Sequence, residues 1–208
     1  MAGRSVNVRF GSQGSVIDWL LVPRLERIRA TLGNVIVELE QMRSADVVRS
    51  VADGRIDFGI VREDAVPSEI KRWRLGKVGY AVFAANGFWK GRSSVEELVR
   101  TVPTAELLPG GQFTERWHEW LAKKQIAPMM LARVSSFTEL AKVVRNGSAA
   151  AVLPELALVE FDPKRFEHRS MSVLGQRSLV LIANARSLER SGIAAAVAPK
   201  IADILKLN

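Results

Sequence analysis

Short apolar runs recur along this chain, each followed by hydroxyls or glycines and then a helical pattern. Val6, Val8 and Phe10 alternate with polar residues, which predicts a half-buried strand. At Val16 the period changes, and Ile17, Leu20, Leu21, Leu25 and Ile28 share one helical face. Pro23 lies inside that pattern and predicts a kink or a lost hydrogen bond. Gly33-Asn34 closes the helix. Val35–Leu39 reads as a second strand, Asp46–Asp53 as a short helix ended by Gly54, and Ile56–Val61 as a third strand. Gly59 inside that strand predicts a close backbone approach.

The pattern continues with two strands within residues 72–83 and a helix over Ser94–Val99, capped by Ser93 or Ser94 and carrying Glu96-Glu97 in its first turn. Apolar runs at Ala105–Leu108 and Met130–Val134 precede helices at Thr114–Lys124 and Phe137–Arg145. The second of these stops at Asn146-Gly147. Ala149–Leu153 reads as a strand broken by Pro154, Phe161-Asp162-Pro163 as a turn and Ser178–Ala183 as a late strand. Gly192–Leu205 reads as a final amphipathic helix, interrupted at Pro199. Residues 1–4 are expected to be disordered.

A strand that enters a helix through a polar turn leaves helix N–H groups free at the strand's carboxyl end, where they favour anions. Several such turns from parallel strands line one sheet edge, where open α/β folds bind ligands. No linker or fixed-period repeat divides the chain. The strands near 80–84 and 178–183 read instead as two crossing connections between lobes, an arrangement that makes a hinge with a cleft.

Composition narrows the function. The chain has 208 residues, no cysteine and a formal charge of +8. Absent cysteines exclude disulfides and thiolate chemistry and fit a reducing, cytoplasmic setting. No apolar stretch approaches a membrane span or a signal-peptide core. The excess charge is spread evenly, with 16 Lys/Arg against 12 Asp/Glu in residues 1–104 and 14 against 10 in the rest. Its one dense cluster, Lys71, Arg72, Arg74 and Lys77 around Trp73, reads first as a charged edge strand, and second as a phosphate contact.

Catalytic patterns are missing. His118 and His168 are the only histidines, and neither has a partner at metal-ligand spacing, so both read as surface residues, His168 in a loop. There is no Gly-x-Ser-x-Gly elbow, and Gly110-Gly111 lacks dinucleotide or P-loop spacing. No catalytic residue, metal or cofactor is expected.

Three stretches together resemble one family. Val51-Ala52-Asp53-Gly54-Arg55-Ile56-Asp57-Phe58-Gly59-Ile60-Val61 is similar to the helix, glycine and Ile-Asp-x-Gly-Ile stretch of the effector-binding domain of LysR-type transcriptional regulators. Val143–Pro154 resembles its later helix–Gly–strand ending in Leu-Pro. Phe10-Gly11-Ser12 through Pro23 matches its opening strand and helix. The resemblance covers about Val6 to about Leu205. It implies an α/β fold of two Rossmann-like lobes joined by two crossover strands, like type 2 periplasmic binding proteins. Lobe I is expected at 5–82 plus 179–208 and lobe II at 83–178, with the effector between them. The winged helix-turn-helix of the family does not appear, so the chain reads as an excised sensor domain that reaches DNA only through a head outside these residues. A side-by-side homodimer is also implied, through the helix Val16–Ile28 and the helix Phe137–Arg145.

By the same likeness, Ser12, Gln13 and Ser15 form the turn that receives the effector's anionic group, a carboxylate or similar. Ser44 matches a second hydroxyl, Gln112, Phe113 and Thr114 the facing loop, and Ser136 and Phe137 the next turn. Arg62 follows the third strand and offers a full positive charge. Phe113, Phe137 and Trp117 permit an aromatic effector. Each has a plainer reading: the serines as helix caps, Arg62 as a partner of Glu63 or Asp64, Phe137 as core. The competing functions are a free-standing solute-binding protein and an enzyme on the same two-lobed fold. Asp57 is expected to be structural.

Overall fold

A computed structural model describes residues 6–190 and 192–207. The start expected to be disordered, and Ser5 at the expected opening of lobe I, lie outside the described residues.

In chain order the first elements are β1 (Val6–Ser12), α1 (Gly14–Val16), a π turn (Ile17–Leu21), a 3-10 turn (Val22–Arg24) and α2 (Leu25–Leu32). Then come β2 (Val35–Gln41), α3 (Ser44–Ala52), β3 (Phe58–Arg62), β4 (Arg72–Val78), β5 (Tyr80–Ala85), α4 (Asn86–Trp89) and α5 (Val95–Thr101). They are followed by β6 (Pro103–Leu107), α6 (Gln112–Lys123), β7 (Met129–Val134), α7 (Phe137–Arg145), β8 (Ala151–Pro154) and β9 (Phe166–Ser170). The chain closes with β10 (Arg177–Ala183), α8 (Ala185–Arg190) and α9 (Ala198–Leu205).

The chain folds as two compact units, one reaching Val78 and resuming at Arg177, the other running Gly79–Gln176. In the first unit the strand order is β2-β1-β3-β10-β4. β1 pairs parallel with β2 and β3, while β10 runs antiparallel to β3 and β4. In the second unit β7 pairs parallel with β6, and β8-β5-β9 form an antiparallel sheet. A parallel bridge from Thr104 to Ala150 sets β6 beside the start of β8. Both units therefore repeat one topology, although no sequence repeat announces it.

Local chemistry explains the departures from plain helix and strand. Pro23 cannot donate to the preceding turn, and the helix passes it through the π and 3-10 turns before resuming as α2. Gly59 does lie at a close approach. A Cβ there would meet Val47 Cγ1 at 2.6 Å and Ile182 Cγ1 at 2.9 Å, so the missing side chain lets α3 settle on β3 and β10. Phe10 and Phe58 stack 4.8 Å apart across β1 and β3 in the first core. The second core gathers Trp117, Trp120, Leu98 and Val152.

Three readings need correction. His168 lies on β9 rather than in a loop, opposite Phe83 and stacked on its ring at 5.5 Å. That strand is short and carries Glu167, His168 and Arg169, so its pattern is masked by polar residues. The final helix does not start at Gly192. It starts at Ala198, with Pro199 in its first turn, where proline needs no donor. An additional helix, α8, precedes it. Pro154 is the last residue of β8, paired with Tyr80, rather than a break before it.

Candidate functional site

The carboxyl ends of β2, β1 and β3 share one edge because the three strands are parallel. The chain leaves β1 towards β2 on one side, and leaves β3 towards β4 and β10 on the other. The boundary between β1 and β3 is thus a topological switch point. Ser12 ends β1 there, fully buried, and its Oγ donates to the Ile60 carbonyl at 2.7 Å. A hydroxyl has one proton, so in this arrangement Ser12 offers further partners only lone pairs.

Gln13 is exposed, and its carbonyl accepts from the N–H groups of Val16 and Ile17 at 3.0 Å. Ser15 is half-buried in the first helical turn. Ser44 is buried at the start of α3, where Arg43 holds the cap position. No cap hydrogen bond comes from Ser12, Ser15 or Ser44, so capping does not explain these serines. Arg62 ends β3 with its guanidinium 3.3 Å from Asp64, while Glu63 pairs with Arg74.

The second unit repeats the edge with different chemistry. Leu108 N–H donates to the Val134 carbonyl, so the turns after β6 and β7 lie side by side. Phe113 packs on Phe137 at 5.0 Å edge-to-face and on Tyr80 at 4.8 Å. Thr114 turns its hydroxyl back on Gly111, donating to the carbonyl at 2.8 Å and accepting from the N–H at 3.2 Å. Ser136 caps α7 by accepting from Glu139 N–H at 3.2 Å. The Glu139 carboxylate in turn accepts from the hydroxyl and N–H of Ser135 and the N–H of Ser136. The Ser135 hydroxyl bond is the main reason its pKa lies below the ordinary 4.5. Gln112 is exposed beside this group. Trp117 is core, stacked on Trp120 at 5.1 Å.

The sequence-predicted residues therefore fall into two groups, one in each unit. Ser12, Gln13, Ser15, Ser44 and Arg62 meet at the first edge, and Gln112, Phe113, Thr114, Ser136 and Phe137 at the second.

Other polar residues were missed. Gln41 is paired with Ser12 in the β1–β2 register, and a Cβ on Gly14 would meet its carboxamide at 3.1 Å. Its signal was there: a polar residue at a strand's carboxyl end, level with Ser12. Glu106 is 3% exposed on β6, with Arg133 Nε at 2.8 Å and His118 Nε2 at 3.0 Å. It sits inside the run Ala105–Leu108, and its partners come from α6 and β7. Asp57 is structural, accepting from Arg9 N–H and the Ser187 hydroxyl. Of the basic cluster, Arg72, Arg74 and Lys77 lie on β4, an outer strand of its sheet, and Lys71 immediately precedes it. Among the described residues no group of three His, Cys, Asp or Glu is placed to hold a metal, and no helix is long and apolar enough to cross a membrane.

Comparison with known proteins gives these two edges a context. The family model for the LysR substrate binding domain matches residues 2–198. Comparison with curated proteins finds no match. Among solved structures, the regulatory domain of MexT, a transcriptional activator in Pseudomonas aeruginosa, superposes with a TM-score of 0.67 at 17% identity, covering 98% of this chain and 100% of that one. The reduced OxyR regulatory domain from Pseudomonas aeruginosa gives 0.67 at 16% identity, covering 98% of each. A sulfate-bound variant of the OxyR2 regulatory domain from Vibrio vulnificus gives 0.66 at 16% identity, covering 97% of each. Identities this low speak for the fold alone, of the type 2 periplasmic-binding-protein kind. The family match covers nearly the whole chain: it belongs to the LysR substrate-binding domains, the effector-binding domains of LysR-type transcriptional regulators.

Proposed function

We propose that this domain binds a small anionic metabolite and passes the change to DNA-binding heads outside these residues. One observation carries the reading: a switch-point edge holds Ser12, Gln13, Ser44 and Arg62 together at the carboxyl ends of three parallel strands. Arg62 brings a full charge, Gln13, Ser15 and Ser44 bring adaptable donors, and the helix starts add backbone N–H groups. The second unit brings the aromatic pair Phe113 and Phe137, which suits an apolar or aromatic part of the ligand. Sulfate bound to the OxyR2 relative is in keeping with an anion.

Signalling needs only differential affinity. A ligand that favours one of two conformations by a few kcal/mol shifts a regulator roughly ten- to hundredfold. CbnR, a full-length relative solved with its target DNA, shows a setting in which such a domain acts. The domain works in the cytoplasm, without catalysis, as a homodimer. Exposed apolar residues support the dimer: Val22 and Ile36 in the first unit, Met129 and Leu131 in the second.

The test is thermal melting against mono- and dicarboxylates, aromatic acids, sulfur compounds and nucleotides. A ligand at one hundred times its Kd adds about 2.7 kcal/mol. A selective rise with one anion, lost in Ser44→Ala and Arg62→Gln, supports the reading. A flat response across the panel removes the anion sensor.

A further inference from the structure

The opposite edge of the first unit's sheet carries a second polar site. A cavity of about 310 Å³ opens there. Arg9 and Asn7 reach it from the amino-terminal half of β1, Arg55 from the turn before β3, and Ser187 and Arg190 from α8. Every side chain in its lining is polar. Ser12 lies three residues beyond Arg9, about 10 Å along the strand, so the cavity is separate from the switch-point edge.

The donors around this cavity are only partly used. Arg9 spends Nε on Glu38 at 2.9 Å and one terminal nitrogen on the Arg55 carbonyl at 3.2 Å. Asn7 also donates to Glu38, at 2.6 Å. Arg55 spends one nitrogen on Asp53 at 3.0 Å. Arg190 reaches only the Gly54 carbonyl, at 3.4 Å, and among the described residues it has no carboxylate in ion-pair range. Guanidinium forks with open nitrogens match tetrahedral oxyanions, which accept two parallel bonds at once.

The floor carries one carboxylate, Asp57, against the three arginines of the lining. Asp57 is 5% exposed, and its two oxygens are already engaged, one by Arg9 N–H at 2.9 Å and the other by the Ser187 hydroxyl. Gly54 shapes the rim: it sits at φ +70°, and a Cβ there would meet the Arg190 guanidinium at 2.6 Å. The left-handed backbone at this position is what favours glycine.

We propose that this cavity is a second binding site, for phosphate or a phosphate monoester, held by Arg9, Arg55 and Arg190. Its ligand ties β1, the β3 turn and α8 together from the edge opposite the effector. Calorimetric titration of the chain with inorganic phosphate, against chloride at matched ionic strength, tests it. Saturable binding is expected, weakened about tenfold or more in the Arg55→Gln/Arg190→Gln double variant. Both arginines are exposed, so that variant should melt like the parent without phosphate. Lys77→Gln, exposed on β4 and outside the cavity, controls for a lost charge and should bind phosphate as the parent does, while Arg62→Gln tells this cavity from the other edge. Absent saturable binding, undiminished binding by the double variant, or a loss confined to Arg62→Gln each overturns the proposal. A parallel titration with methyl phosphate separates the sources: tighter binding identifies an ester as the ligand, equal or weaker binding the free ion.

Discussion

The Ser12 hydroxyl donates to the Ile60 carbonyl across 2.7 Å, joining β1 to β3 one residue beyond their last paired positions, Gly11 and Gly59. A side chain here continues what the backbone ladder began. It also engages the only proton of the Ser12 hydroxyl. An anion that recruits Ser12 as a donor must take that proton from Ile60, so ligand binding and strand contact compete for one group.

Ser12→Ala should therefore lower stability even without ligand. The buried Ile60 carbonyl loses its partner, at about 1–3 kcal/mol. For a chain of this size that is a fall in Tm of several degrees, at about 2–4 °C per kcal/mol. Ser44→Ala, where no cap bond is lost, should melt close to the parent. Equal melting of the two variants would show that the Ile60 contact contributes little.

Gly59→Ala tests the packing of α3 on the sheet. The new methyl overlaps Val47 and Ile182, both buried at the centre of a valine- and isoleucine-rich core. Overpacking of this kind costs about 1–3 kcal/mol. Chemical denaturation should show a lower midpoint with an unchanged slope, and an unchanged midpoint would mean that α3 moves freely on the sheet.

Glu139 gives the capping of α7 a pH dependence. Its folded pKa lies below 4.5, chiefly through the Ser135 hydroxyl, so its contribution is complete above that value and lost as pH falls through the folded pKa. Carboxyl NMR titration should place its midpoint below 4.5. Glu139→Gln should narrow the gap in Tm between neutral pH and pH well below 4.5. An ordinary midpoint would refute the reciprocal bonds with Ser135 and Ser136.

The dimer proposal rests on Val22, 48% exposed beside Pro23, and on Leu131, 54% exposed on β7. Burying an unpaired carboxylate in an apolar interface is strongly unfavourable. Val22→Glu and Leu131→Glu should each yield monomers by light scattering while keeping the parent's circular dichroism. A dimer that survives both substitutions does not use these surfaces.

Periodicity determined most of the local structure. Alternation at Val6–Phe10, the helical face from Ile17 to Ile28, the stop at Asn146-Gly147 and the close approach at Gly59 were legible because each depends on neighbours within a turn or two, or on a residue with singular backbone freedom. The family motifs extended this to the fold, since their order along the chain carries long-range information that composition lacks. The polar strand β9 and the helix α8 were not legible. β9 is a strand because Phe83 and its neighbours pair with it, and polar residues on an exposed face leave no alternation to read. The serines at the switch point show the same division. Sequence placed Ser12 at the end of a strand; only the packed sheet decided that its hydroxyl goes to Ile60, forty-eight residues away. Glu106 needed Arg133 and His118 brought in from other elements, and Arg9, Arg55 and Arg190 became one cavity through strand, turn and helix. Local pattern follows from the chain's own geometry, whereas the pairing of charges and donors distant in sequence exists only once the sheet is built.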